Sequence, residues 1–146
     1  MKTVIFDIDG TLADIEHRRG FLEGDRPNWF KFNDAMDEDV PNTSVVELYK
    51  TLWESGVYDL QIATGRSVRF RKITESWLTW NDIPFNRVLM RGEKDQRPDN
   101  IIKGEILEQL RSDGRDIAFA VDDRQQVVDM WRANGVLCLQ CDVGDF

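Results

Sequence analysis

Histidine, cysteine and proline are scarce in this 146-residue sequence, and it has no long apolar run. One histidine, His17, and two cysteines, Cys138 and Cys141, fall short of the four nitrogen and sulfur ligands that a structural zinc site takes. Two cysteines are also too few for a disulfide framework. With four prolines and ten glycines there is no linker or low-complexity tract. No stretch approaches the roughly 20 apolar residues of a membrane helix. The short apolar run at the start is broken by Asp7 and does not resemble a secretory signal, so a cytoplasmic protein is expected. No G-x-x-x-x-G-K-[ST] occurs, so an ATP-cradling loop and a 5′-kinase activity are not expected. Positive charge is the scarcer sign: 19 Lys and Arg face 27 Asp and Glu, giving a net charge of -8. Such a chain is a poor generic binder of nucleic acid or anionic membrane, although a local basic site is compatible with it.

What is present suits one folded domain. The residues are 41% hydrophobic and 32% charged, enough for a core and unlike a disordered chain. Short apolar runs predict strands over Thr3–Ile8, Asp59–Ala63, Arg87–Met90, Ile117–Val121 and Val136–Leu139. Apolar residues at helical spacing predict helices over Ser44–Ser55, Arg66–Trp80, Asn100–Leu110 and Arg124–Ala133. Alternation of this kind predicts a three-layer, Rossmann-like α/β domain with a central parallel sheet of about five strands. Residues 14–42 break the rhythm. They are read as a small helical insert after the first strand, either a lid or a core-packing excursion anchored by Trp29-Phe30.

In an open parallel sheet the ligand site lies beyond the carboxyl ends of the strands. Asp7-Ile8-Asp9-Gly10-Thr11 follows the first strand, Thr64-Gly65-Arg66 the second, and Asp122-Asp123 the fourth. Arg91, Arg97, Asp99 and Lys103 follow the third. Four carboxylates brought together repel one another, so a hard divalent cation is expected among Asp7, Asp9, Asp122 and Asp123, with Mg²⁺ the natural choice. Thr64 and Arg66 can donate to phosphate oxygens, and Lys103 can offset developing negative charge. Taken singly each feature has an ordinary explanation as a turn, a helix cap or a solvated side chain. Their joint placement at strand ends favours a functional site.

These residues carry a resemblance. Phe6-Asp7-Ile8-Asp9-Gly10-Thr11-Leu12, Ile62-Ala63-Thr64-Gly65-Arg66, Lys103 and Val121-Asp122-Asp123 resemble, in order, the four motifs of the haloacid dehalogenase superfamily of phosphohydrolases. The resemblance implies Mg²⁺-dependent phosphoryl transfer. Asp7 would form an aspartyl-phosphate, and Asp9 would protonate the leaving alcohol and then activate water. Asp7, the Asp9 carbonyl and Asp122 would hold Mg²⁺ with help from Asp123, while Thr64 and Lys103 would bind the phosphoryl group. The chain is further similar to the 3′-phosphatase domains of phage-type polynucleotide kinase–phosphatases. That similarity rests on His17-Arg18, Thr64-Gly65-Arg66, Met90-Arg91, Arg97-Pro98-Asp99, Asp122-Asp123-Arg124 and the closing Gly144-Asp145-Phe146. It implies that Arg18, Arg66, Asp99 and Lys103 support activity and that Arg91 faces the substrate phosphate.

The implied substrate is a 3′-phosphorylated DNA or RNA end, with a mononucleotide as the alternative. The chain would act alone or beside a separate kinase or ligase. Local charge agrees: Arg66, Arg69, Arg71 and Lys72 lie within seven residues that contain no acid, and Arg87, Arg91, Lys94, Arg97 and Lys103 follow. A non-catalytic phosphoacceptor module is the reading from another class. Receiver domains, however, place their acidic pair early and the acceptor Asp later, the reverse of the order here. Cys138 and Cys141 are read as a core cysteine and a free thiol, and His17 as a structural or substrate-side residue rather than the catalytic base.

Overall fold

Alternate residues of the first strand face opposite sides of one sheet, and the two hydrophobic cores follow from that. In the computed structural model, which describes residues 1–144, β1 (Lys2–Phe6) turns Val4 and Phe6 to one core and Ile5 to the other. Asp145 and Phe146, part of the closing motif, lie outside the described residues. The chain continues through β2 (Ala13–Asp14), α1 (Glu16–Arg19), α2 (Trp29–Asp34), β3 (Val40–Pro41), α3 (Thr43–Ser55), β4 (Tyr58–Ser67) and α4 (Arg71–Trp80). It then forms β5 (Val88–Arg91), α5 (Asp99–Ser112), β6 (Ile117–Arg124), α6 (Gln125–Ala133) and β7 (Cys138–Gly144). Single 3₁₀ turns lie at Gly20–Leu22, Met36–Glu38 and Val68–Phe70.

Among the described residues, five parallel strands form one sheet in the order β5-β4-β1-β6-β7, as the sequence predicts. Val46 and Tyr49 of α3 and Trp77 and Leu78 of α4 pack with Val4, Phe6, Leu60 and Ile62 on one face. Leu107 and Leu110 of α5 and Val127, Val128 and Trp131 of α6 pack with Ile5, Ala63 and Ala120 on the other. Right-handed crossovers demand this three-layer arrangement. The chain winds outward from β1 to β4 and β5, then returns to β6 on the opposite flank of β1. The strand order therefore reverses at β1, where a doubly wound sheet opens its crevice. No described helix is long and apolar enough to cross a membrane.

Several boundaries differ from the sequence reading. β4 runs on through Ser67, so Arg66 is a strand residue and the helix starts at Arg71 after a 3₁₀ turn. β6 likewise absorbs Asp122, Asp123 and Arg124, so α6 starts one residue later than expected. The fifth strand is displaced to Cys138–Gly144. The segment after β1 is helical as expected, but a two-residue antiparallel pair closes its neck, with Ala13 opposite Pro41 and Asp14 opposite Val40. Trp29 and Phe30 do not anchor it, being 53% and 76% exposed; the buried anchors are Phe32 and Met36. Cys138 is buried and Cys141 exposed, and both are free thiols.

Candidate active site

Strand register places the first group of charges. Phe6 pairs with Ile62 of β4 and with Val121 of β6, so Asp7 leaves β1 level with Asp122. Lys103 reaches up from α5 between them, its Nζ 2.7 Å from Asp7 Oδ1 and 2.8 Å from Asp122 Oδ2. Asp122 also accepts from the Trp131 indole at 3.2 Å and from the Asp123 backbone N–H at 2.9 Å, which fixes its rotamer. The Thr11 hydroxyl lies 3.2 Å from both Asp7 Oδ2 and Asp123 Oδ1. Asp123 fits only because glycines flank it. Gly10 (φ +82°) turns the chain directly behind it, and a Cβ on Gly10 or Gly144 would overlap its carboxylate. Burial, together with the neighbouring carboxylates, holds the Asp7 carboxyl well above its ordinary range and pushes Asp123 up to about 6. Lys103 is held charged by Asp122 and Asp7 against the effect of its burial.

A second group lies beside the first. Asp9 accepts from Arg18 Nη2 at 2.5 Å and from Arg66 Nη2 at 2.7 Å. Although burial opposes ionisation, the two guanidiniums hold Asp9 well below the usual carboxylate range. Both arginines also converge on Asp39. Its carboxylate accepts from Arg18 Nε and Nη2, each at 2.7 Å, and from Arg66 Nη2 at 3.3 Å, and it bonds His17 Nε2 at 2.6 Å. The Asp39 carbonyl accepts from the Trp77 indole at 2.8 Å, and Arg66 Nη1 donates to Thr74. Asp39 was missed in the sequence reading. It stands among Asp34, Asp37 and Glu38 in a polar stretch, with no spacing that marks it as the buried member.

A third group closes the far side. Arg91 donates to the carbonyls of Gly65, Asp95 and Arg97 and to Asp99 Oδ1, so most of its donors are spent on holding its own loop. Asp99 also accepts from Arg124 at 2.9 Å, and a Cβ on Gly65 would overlap its carboxylate. Arg97 is committed to Asp95 and Glu105 on the surface.

The three groups border one cavity of about 810 Å³. Asp7, Asp9, Arg66, Asp99, Lys103 and Asp123 line it, with Gly65, Arg91 and Asp122 also on its wall. Two expected substrate contacts sit behind the wall. Thr64 is fully buried, its hydroxyl accepting the Arg66 backbone N–H at 3.1 Å. Arg18 is fully buried as well, drawn inward by Asp9 and Asp39, so it acts on those carboxylates rather than lining the opening. His17 hydrogen-bonds Asp39 and is not on the cavity wall.

A family model described as the polynucleotide kinase PNKP phosphatase domain matches residues 1–146. The chain belongs to that family. Chains in solved structures of the Pnkp1/Rnl/Hen1 RNA repair complex and the Pnkp1/Rnl/Hen1 complex are each 35% identical over 99% of this chain, with TM-scores of 0.84 and 0.85. This chain spans 43% and 46% of their lengths. A haloacid dehalogenase family enzyme from Bacteroides thetaiotaomicron, solved with magnesium and inorganic phosphate, shares the fold. It is 15% identical with a TM-score of 0.63, over 100% of this chain and 96% of its own. The family model itself places the chain among phosphatase domains of haloacid dehalogenase type.

The family resemblance implies a cation, and the donor set fits one. Asp7, Asp122 and Asp123 are all buried and each offers a carboxylate oxygen, the three lying within 4.8 Å of one another. Oxygen ligands of this kind suit a hard ion such as Mg²⁺. The upward push on Asp7 and Asp123 comes first from burial and then from the neighbouring carboxylates, which Lys103 alone does not balance. The side chain of Asp9 is turned away from that cluster to the arginines, which leaves its backbone carbonyl, not its carboxylate, as the donor the family resemblance implies.

Proposed function

We propose that this chain is a Mg²⁺-dependent phosphomonoesterase that removes the 3′-phosphate from a nucleic-acid end through an aspartyl-phosphate on Asp7. The observation that carries the reading is the Asp7 carboxylate, set on the cavity wall at the end of β1 with Lys103 and two further buried carboxylates against it. Asp7 Oδ attacks phosphorus as the bond from phosphorus to the 3′-oxygen breaks. Lys103 stands where it can neutralise charge on the transferring group. Arg66, shared between Asp9 and the cavity, turns toward an incoming phosphate dianion. That weakens its hold on Asp9, which can then carry a proton to the departing 3′-oxygen. In the second half Asp9 takes a proton from water, the water oxygen bonds to phosphorus, and the acyl-phosphate bond breaks to free Asp7 and inorganic phosphate. Mg²⁺ held by Asp7, Asp122 and Asp123 would offset the carboxylates and the phosphate charge together. Arg18, Asp39 and His17 keep Asp9 and Arg66 oriented, Thr64 supports Arg66 from behind, and Arg91 and Asp99 keep the β5–α5 loop off the opening. Residues 14–42 serve as a small cap, which leaves the mouth open enough for a polymer end.

The RNA repair setting of the similar chains supports an RNA or DNA end as substrate and a separate kinase or ligase as working partner. The test is phosphate release in Mg²⁺ from 3′-phosphorylated RNA and DNA oligonucleotides, with 3′- and 5′-mononucleotides beside them. Preferential release from oligonucleotide 3′ ends supports the proposal. Release confined to mononucleotides keeps the mechanism and moves the substrate to free nucleotides.

A further inference from the structure

A second cavity is lined from the same 3₁₀ turn as the active-site cavity. Phe70 lines the first; its neighbours Val68 and Arg69 line the second, a groove of about 920 Å³ along α4. The floor of this groove is a helical stripe. Lys72, Ser76 and Trp80 follow one another at a spacing of four on α4, so they share a face. Trp80 is 87% exposed, an unusual position for so large an apolar side chain. The Arg69 guanidinium, on the groove, lies 5.7 Å from the ring centroid of Phe70, on the active-site cavity. Neither Arg69 nor Lys72 has an ion-pair partner among the described residues. Glu75, the acid nearest them in the chain, is taken by Arg71 at 3.3 Å, and Asp82 lies beyond Trp80 at the end of the helix.

Resting on the phosphatase reading above, we propose that this groove is the track for the nucleotides that precede the reacting 3′ end of a single-stranded nucleic acid. Arg69 and Lys72 meet backbone phosphates and Trp80 offers its face to a base. Three observations favour that occupant. The other cations near the mouth are already engaged: Arg91 and Arg124 with Asp99, Arg97 with Asp95 and Glu105, Arg18 and Arg66 in the interior. Of the cations that line either cavity, Arg69 and Lys72 are therefore the two without an ion-pair partner among the described residues, on a chain of net charge -8. Cationic side chains interleaved with an exposed aromatic ring are the means by which proteins hold single strands without reading sequence. Finally, α4 is ten residues, about 15 Å long, so the track fits a short run of nucleotides and ends where the helix ends.

The experiment is a length series. The rate constant kcat/KM is measured for 3′-phosphate release from a mononucleotide and from oligonucleotides of increasing length, with the unaltered chain, the Arg69→Ala/Lys72→Ala double variant and Trp80→Ala. All three positions are exposed, so folding is not at stake. The expected result is that kcat/KM rises over the first few nucleotides and then levels. Trp80→Ala lowers it about tenfold for the longer substrates. The double variant lowers it too and flattens its logarithmic dependence on salt by about 1.4, two phosphate contacts at ~0.7 each. Mononucleotide hydrolysis stays within about twofold of the unaltered chain. Phosphate release that does not depend on length, or a length dependence untouched by the variants, overturns the track and leaves the phosphatase standing; the groove would then be assigned to a protein partner. Absence of Asp7-dependent release from every substrate overturns the phosphatase reading itself.

Discussion

Asp39 carries no predicted chemistry, yet two arginines and a histidine converge on its carboxylate in the interior. Through them it sets the position of Asp9. Asp39→Asn keeps the shape and removes the charge, leaving Arg18 and Arg66 with Asp9 as their one close carboxylate. Breaking a buried charge network of this kind costs about 3–5 kcal/mol, which urea unfolding would read as a lower midpoint. Phosphate release should fall about 10–100-fold, the usual cost of removing a group that orients a reacting one. Lys103→Met tests the other cluster. It leaves Asp7 and Asp122 buried without their cation, so the metal-free protein loses stability, and Mg²⁺ should raise the Tm of the variant by more than that of the unaltered chain, as differential scanning would show. The pH response has two signs. Asp123 and Asp7 titrate above their ordinary range in the fold, so their contribution is fully present below about pH 4 and is lost as pH rises through about 6 for Asp123. Asp9 is depressed, so its contribution is present at neutral pH and is lost only in acid below the usual carboxylate range. In EDTA, the Tm should therefore decline between pH 4 and pH 7 by about 2–4 °C for each kcal/mol involved, and Mg²⁺ should abolish that decline. A flat profile in EDTA would refute the assignment of a raised Asp123.

At the scale of elements, the positions of Asp7 and Asp122 were legible because apolar strands of a parallel sheet end abruptly in polar residues, and the winding rules then bring those ends together. Asp9, Arg66 and Lys103 are likewise brought to that edge. What was not legible depends on where elements stop. Nothing local in Ala63-Thr64-Gly65-Arg66-Ser67 distinguishes a strand that continues from a helix that begins; continued pairing with β5, where Ser67 meets Arg91, decides it. That extension turns Arg66 inward to Asp9 and Thr74. Asp39 was hidden for a related reason, and Arg18 was reached only through the family resemblance, since their mutual ion pair is buried and no local pattern marks a buried charge. Gly65 ties β4 to the N-terminus of α5, because its missing side chain makes room for Asp99. Gly65→Ala must push Asp99 off Arg91 and Arg124. The expected cost is about 1–3 kcal/mol of overpacking, seen as a lower Tm, with a rise in KM larger than the fall in kcat because the β5–α5 loop loosens at the cavity mouth.

For the whole molecule, an acidic surface with a basic approach makes electrostatics act on association rather than on the chemical step. Rising salt should raise KM for a nucleic-acid end and leave kcat nearly unchanged. The chain spans less than half of the length of the Pnkp1-complex chains it resembles, yet the end of β1, β6 and α5 supply Asp7, Asp122, Asp123, Asp99 and Lys103 to the cavity, and β4 supplies Arg66. The account therefore rests on what this chain does alone. The most direct measurement is phosphate release from a 3′-phosphorylated oligonucleotide by the isolated chain and by Asp7→Asn, each in Mg²⁺ and in EDTA. The account predicts release by the unaltered chain in Mg²⁺, its loss in EDTA, and a fall of at least about 10⁴-fold in Asp7→Asn, the scale seen when a nucleophile is removed. Release that persists in Asp7→Asn at a comparable rate would contradict it.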